Sequence, residues 1–135
     1  MAFQVQRKSR LRETLELVSA DGENTLSIDV DLNLDEMGGR IVAAQDVMTM
    51  AAQLVAQEPQ SVKAQEAFGS AVIALFGGVF GEADTKRILD FYDGHYAEML
   101  TDIAPFISNV VFPAIKKASA DRKQRLLDAA NSMRR

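Results

Sequence analysis

The chain has no cysteine, no tryptophan, three prolines and a single histidine among its 135 residues. Without thiols, neither disulfides nor thiolate metal sites can form, and a reducing compartment suits such a chain. The longest apolar run, Ala71 to Phe80, contains two glycines and is about half the roughly 20 residues that a spanning helix needs. Phe3 and Val5 are not followed by a long apolar core and a small-residue cleavage site, so no signal peptide is expected. What is plentiful is ordinary: 47% apolar and 25% charged residues are globular values, and the length fits one domain.

The net charge of −4 conceals a segregation. Residues 1–12 carry Arg7, Lys8, Arg10 and Arg12 and no acid. Residues 116–135 carry Lys116, Lys117, Arg122, Lys123, Arg125, Arg134 and Arg135 against Asp121 and Asp128. Between them, Glu13 to Ile115 holds only Arg40, Lys63, Lys86 and Arg87 as cations, so the body is acidic. Basic ends suit nucleic-acid contact, charge-complementary self-association, or plain solvation.

Two hydrophobic periods divide the chain. From Leu26 to Asp35 apolar and polar residues alternate, with Leu26, Ile28, Val30, Leu32 and Leu34 on one face. A period of two is that of a strand buried on one side. Glu13 to Ser19 precedes it across a turn centred on Asp21-Gly22, which predicts a β-hairpin, and Phe3 and Val5 suggest a short third strand. An isolated hairpin is marginal in water, so helices or another subunit must cover its apolar face.

After Asp35 the spacing is helical. A first helix is expected over 35–57, capped by Asn33 or Asp35, buried through Met37, Ile41, Ala44, Met48, Ala51 and Val55, and flanked by Val47 and Leu54. Gly38-Gly39 weakens its first turn or permits close packing, and Glu58-Pro59 ends it. Ser61 caps a second helix that Gly77-Gly78 should stop, with Ala64, Phe68, Ala71, Val72, Leu75 and Phe76 buried. A short third helix spans about 83–92, and Asp93-Gly94 breaks the chain. A fourth begins near His95 and should kink or divide at Pro105 and Pro113. Asp121 then caps a last, polar helix bearing Leu126, Leu127, Ala130 and Met133. The fold class is therefore α+β: an N-terminal hairpin (1–34), a helical body (35–118) and a basic C-terminal helix (119–135) in one domain of four to five helices.

Catalytic and metal chemistry fail on their particulars. Asp29, Asp31 and Asn33 imitate an EF-hand opening, but its sixth and twelfth positions are Leu34 and Arg40 where glycine and glutamate are required. Gly77, Gly78 and Gly81 lack the following Lys-Ser or Lys-Thr of a phosphate loop. His95, near Asp90, Asp93 and Glu98, is one histidine among scattered carboxylates, and Ser19, Ser27 and Ser70 lack a nucleophile elbow. Met37, Met48, Met50 and Met99 fall at core spacing. The reading is non-enzymatic, with no cofactor and no metal.

Three stretches carry a family likeness: Ala74-Leu75-Phe76-Gly77-Gly78-Val79-Phe80-Gly81-Glu82, Ile88-Leu89-Asp90-Phe91-Tyr92-Asp93-Gly94, and Met99 to Ile107. Together with the strand pair ahead of the helices, they resemble the small tail assembly chaperones of long-tailed (siphovirus-type) bacteriophages and prophages, especially those of Gram-positive hosts. The likeness covers roughly residues 13–115 in layout and is sharpest from Phe76 to Ile107. It implies a homo-oligomer of the host cytoplasm that binds the long helical tape measure protein and tail proteins, without membrane or nucleic acid. A programmed frameshift often gives such proteins a longer form. The positions expected to meet a partner are Phe112, Tyr92, Tyr96, Ile28 and Val30, on the aromatic segment and the hairpin. The rival reading is a small nucleic-acid-associated regulatory protein working through the two basic ends.

Overall fold

A computed structural model describes residues 2–4 and 10–134. Strands β1 (Arg10–Val18) and β2 (Thr25–Asn33) form a two-stranded antiparallel hairpin. Its register sets Leu11 opposite Leu32, Leu15 opposite Ile28 and Leu17 opposite Leu26, so both apolar sets share one face. The Ser19–Asn24 loop closes on itself. Ser19 N–H donates to the Asn24 carbonyl at 2.8 Å, and Asn24 N–H returns to the Ser19 hydroxyl at 3.0 Å. Gly22 supplies the positive φ of 77° that the turn requires.

On the outer face, Arg10 pairs with Asp31, Arg12 approaches it at 3.5 Å, and the Thr14 hydroxyl donates to Asp29 at 3.1 Å. The Arg10 hydrogen bond holds the Asp31 carboxyl below its ordinary range. The acids of β2 are thus engaged by β1, and the inner face is closed by helices. Ile28, Val30 and Leu32 are buried, and β2 packs on the three helices that follow. Phe3 is 94% exposed and in no strand, while Val5 lies outside the described residues.

Helix α1 (Leu34–Gln57) starts where β2 ends, because the Asn33 side chain accepts from Glu36 N–H at 3.1 Å. Ser61 does the same for α2 (Val62–Phe80), accepting from Ala64 N–H at 3.1 Å. The two helices pack along their length as a hairpin. Gly77-Gly78 does not stop α2, which runs on through Val79 and Phe80 into the core. Burial of those two side chains outweighs the roughly 1 kcal/mol per glycine that propensity subtracts. At Gly78 a Cβ would sit 3.2 Å from Ile41 Cγ1, a tight contact that the bare glycine avoids. The true stop is Gly81, at φ 85° and ψ 164°.

Helix α3 (Glu82–Phe91) ends at the Asp93-Gly94 turn, both residues having positive φ. Tyr92 is buried beside it, and its hydroxyl donates to Asp102 Oδ2 at 3.0 Å. Desolvation, then the Asp102 hydrogen bond, pushes the phenol pKa well above its ordinary value of 10.0.

The prolines do not divide the last helix. Helix α4 (Tyr96–Phe106) passes through a π-helical turn, Ile107–Val111, directly into α5 (Phe112–Ser132). Within that turn Phe112 N–H reaches back to the Ile107 carbonyl, the wider spacing of a π-bulge. Pro113 directly follows the π turn, where the hydrogen-bond ladder is already shifted by one residue, and Asp121 lies in mid-helix and caps nothing. Residues Tyr96–Ser132 make one helix of 37 residues, whose most apolar window has a mean hydropathy of 1.2, enough by length and composition to cross a membrane. Its apolar residues Met99, Ile103, Ile107, Val111 and Ile115 are instead turned into the core. Burial stops at Ala118, and every described residue beyond it is exposed.

Two substitutions separate the glycines. Nothing lies within 4 Å of a Cβ at Gly39, so Gly39→Ala should raise unfolding free energy by about 0.5–1 kcal/mol in urea titrations. Gly81→Ala should lower it by roughly 1–3 kcal/mol, because that φ/ψ region is essentially reserved to glycine. The raised phenol pKa has its own signature. The folded state keeps a proton that the unfolded chain loses near pH 10, so the Tyr92 contribution is constant below that pH and declines above it. Tyr92→Phe should flatten that alkaline decline in stability measured against pH.

Candidate partner-binding surface

The five positions expected at a partner interface do not form one surface. Ile28 and Val30 are 0% and 3% exposed and closed off by the chain's own helices. That corrects their placing at a partner surface: the apolar face that helices or another subunit had to cover is covered within the chain. Tyr92 is buried. The Tyr96 ring lies on Gly69, where a Cβ would come 2.9 Å from Cε2. Phe112 is half-buried against the core. Phe91 and Phe106 are half-buried around it, with Phe106 stacked on Phe80 at 6.1 Å.

The open apolar surface lies on α1, where sequence reasoning placed core flanks. Val47 is 59% exposed, Met50 70% and Leu54 39%, with Ala43 one turn earlier also exposed. Residues 43, 47, 50 and 54 follow the four-three-four spacing of a helix-packing seam. At 3.6 residues per turn they fall opposite Ile41 and Met48, which face α2. Helix α1 therefore carries two apolar stripes, and α2 covers only one. After Asp46 the helix has no charged residue through Gln57. The signal was present in the sequence as a second stripe. Counting available partners would have exposed it, since one helix cannot cover two opposite faces.

A second open stripe occupies the end of α5. Leu126 is 64% exposed, Leu127 50% and Met133 83%. Before that stripe, α5 is tied to the start of α1. Arg122 donates to the Asp35 carbonyl at 3.2 Å, and the Arg122 and Arg125 guanidiniums stand 3.8 and 3.9 Å from the Asp35 carboxylate. These are exposed ion pairs, each worth at most about 1 kcal/mol. They fix direction more than stability.

Chemistry finds no comparable focus. Among the described residues no group of three or more His, Asp or Glu side chains could hold a metal. His95 sits exposed at the N-cap of α4, without a side-chain capping bond. An open cleft of about 420 Å³ between β1 and α5 is lined by Arg10, Leu11, Leu34, Lys117 and Asp121, with no nucleophile–base pair. No protein family, curated protein or solved structure matches this chain.

If the α1 seam faces solvent in the folded monomer, charging it should cost little. Val47→Lys and Met50→Lys should each move unfolding free energy by no more than about 0.5 kcal/mol. Ile41→Ala, on the opposite face and fully buried, should cost roughly 2–5 kcal/mol in the same denaturation series.

Proposed function

We propose that this chain is a non-enzymatic tail assembly chaperone of a long-tailed phage or prophage, acting in the cytoplasm of the bacterial host. In this reading it holds a helical segment of the tape measure protein and assists tail tube polymerisation. One observation carries it: the uncharged apolar seam Ala43, Val47, Met50 and Leu54 on one helix, with nothing among the described residues to cover it. An amphipathic helix laid into such a seam buries its own apolar face, the recurring way a groove captures a helix. An aggregation-prone helical client needs that service.

The resemblance supports the reading at a different level. The stretch Phe76 to Ile107 builds the end of α2, all of α3 and the joined helix, which are core elements. It speaks for a shared fold, and the seam speaks for the contact.

A nucleic-acid role draws on Lys116, Lys117 and Lys123 on the exposed side of α5. Against it, Arg10 and Arg12 are turned to Asp31, and Arg122 and Arg125 to Asp35. Tagged protein recovered from its host at moderate salt after nuclease treatment should bring down a very long helix-rich tail protein. Val47→Lys/Met50→Lys should lose it. Binding of nucleic acid alone, falling by about a thousandfold or more between about 50 and 200 mM salt, would overturn the chaperone reading.

A further inference from the structure

The two open stripes belong to one molecule yet cannot meet within it. Helices α1 and α5 run antiparallel past each other. Gly38 is packed on Ile115, where a Cβ would lie 3.0 Å from Ile115 Cγ2, and Asp35 stands beside Arg122 and Arg125. From that crossing the α5 stripe continues beyond the start of α1, and the α1 seam continues the other way. At 1.5 Å per residue, Asp35 to Val47 spans about 18 Å, and Arg122 to Met133 about 16 Å in the opposite direction.

The α5 stripe is also not a new face. On a helical wheel, Leu126, Ala130 and Met133 continue the side that Ile115 presents to the core. The helix simply outruns the body that buried it.

The charges around the two stripes are opposite. Lys123 and Arg134 border the α5 stripe, while Asp121 and Asp128 fall on the far side of that helix. The α1 seam has Glu36 and Asp46 about it and Glu58 just past its end, with Arg40 the single cation of the helix. Pairing α1 with another α1 would set acid against acid. Pairing α1 with α5 sets basic against acidic, the complementarity that selects partner and orientation.

We propose that the distal α5 of one copy, through Leu126, Ala130 and Met133, docks on the α1 seam of a second copy, through Val47, Met50 and Leu54. The contact is head-to-tail: each copy offers one donor helix and one receptor seam, so assembly runs on to a ring or an open chain. The proposal deepens the self-associating part of the chaperone reading and rests on the same seam. In it, α5 of a neighbour fills the receptor when no client helix does.

The test is complementation, read by sedimentation velocity at high micromolar concentration. Wild type should sediment as species larger than a monomer. Val47→Asp/Met50→Asp loses the receptor and Leu126→Asp/Met133→Asp loses the donor, and each alone should be monomeric. Both replace exposed residues, and unchanged circular dichroism and melting confirm that each is folded. Mixed in equal amounts, the two retain one intact receptor and one intact donor, so a discrete dimer should appear and grow no further. A monomeric wild type, self-association of either variant alone, or a mixture that stays monomeric would each overturn the proposal. The chaperone reading fails separately: a monomeric chain that still captured a tail protein through Val47 and Met50 would sink the docking and leave the chaperone standing.

Discussion

The crossing of α1 and α5 at Gly38 and Ile115 decides which surfaces this protein keeps and which it exposes. A Cβ at Gly38 would come 3.0 Å from Ile115 Cγ2, so the bare glycine gives the Ile115 side chain room to seat on α1. That contact brings Asp35 within reach of Arg122 and Arg125 and settles the antiparallel direction. It also spends only the first turns of α1 and the first turns of α5. What lies beyond on both helices is left to water or to a partner.

The remaining core holds that crossing in place. The hairpin face, α2 and the joined α4–α5 helix bury one continuous cluster from Leu17 to Ala118, including Phe76, Ile88 and Met99. Among the described residues, no buried side-chain polar atom lacks a partner, as expected of a core that specifies one arrangement. Thr85, its buried polar residue, returns its hydroxyl to the Gly81 carbonyl at 2.7 Å. Rigidity of α1 follows from both ends, with Asn33 capping its start and α2 lying along its inner stripe.

The hairpin and the first helix were legible because each has one period and one chemically obvious boundary: the alternation of β2, the Asn33 cap, and Glu58-Pro59. Where local and tertiary terms compete, sequence alone chose the local one. Gly77-Gly78 reads as a stop because glycine propensity is visible, whereas the burial of Val79 and Phe80 depends on a core that exists only after folding. Pro105 and Pro113 read as breaks because the missing N–H is visible, whereas the π turn that absorbs the mismatch is not. The candidate surface was hidden for a related reason. Val47, Met50 and Leu54 have the spacing of core residues, and spacing does not say whether a partner helix exists on that side. The basic ends read as one feature, yet the arginines at 10, 12, 122 and 125 are committed to acids within the chain.

A receptor for helices gains from being a helix already formed. A short helix is marginal in water, since nucleation fixes several residues for a single hydrogen bond. In the proposed reading, a client segment docking on α1 would still lose its own chain entropy, but the receptor side would lose almost none, because α2 and the Asn33 cap have already ordered it. The same reasoning explains why the seam lacks charge from Val47 to Gln57. A charged residue in its centre would face desolvation against any apolar partner, whereas Glu36, Asp46 and Glu58 at its margins can stay hydrated and still select a basic-flanked helix. The exposed methionine in the middle, Met50, adds a side chain that adapts to helices of differing sequence. A seam of this build favours helical character over a particular sequence, as the proposed reading, with its one long helical client, would require.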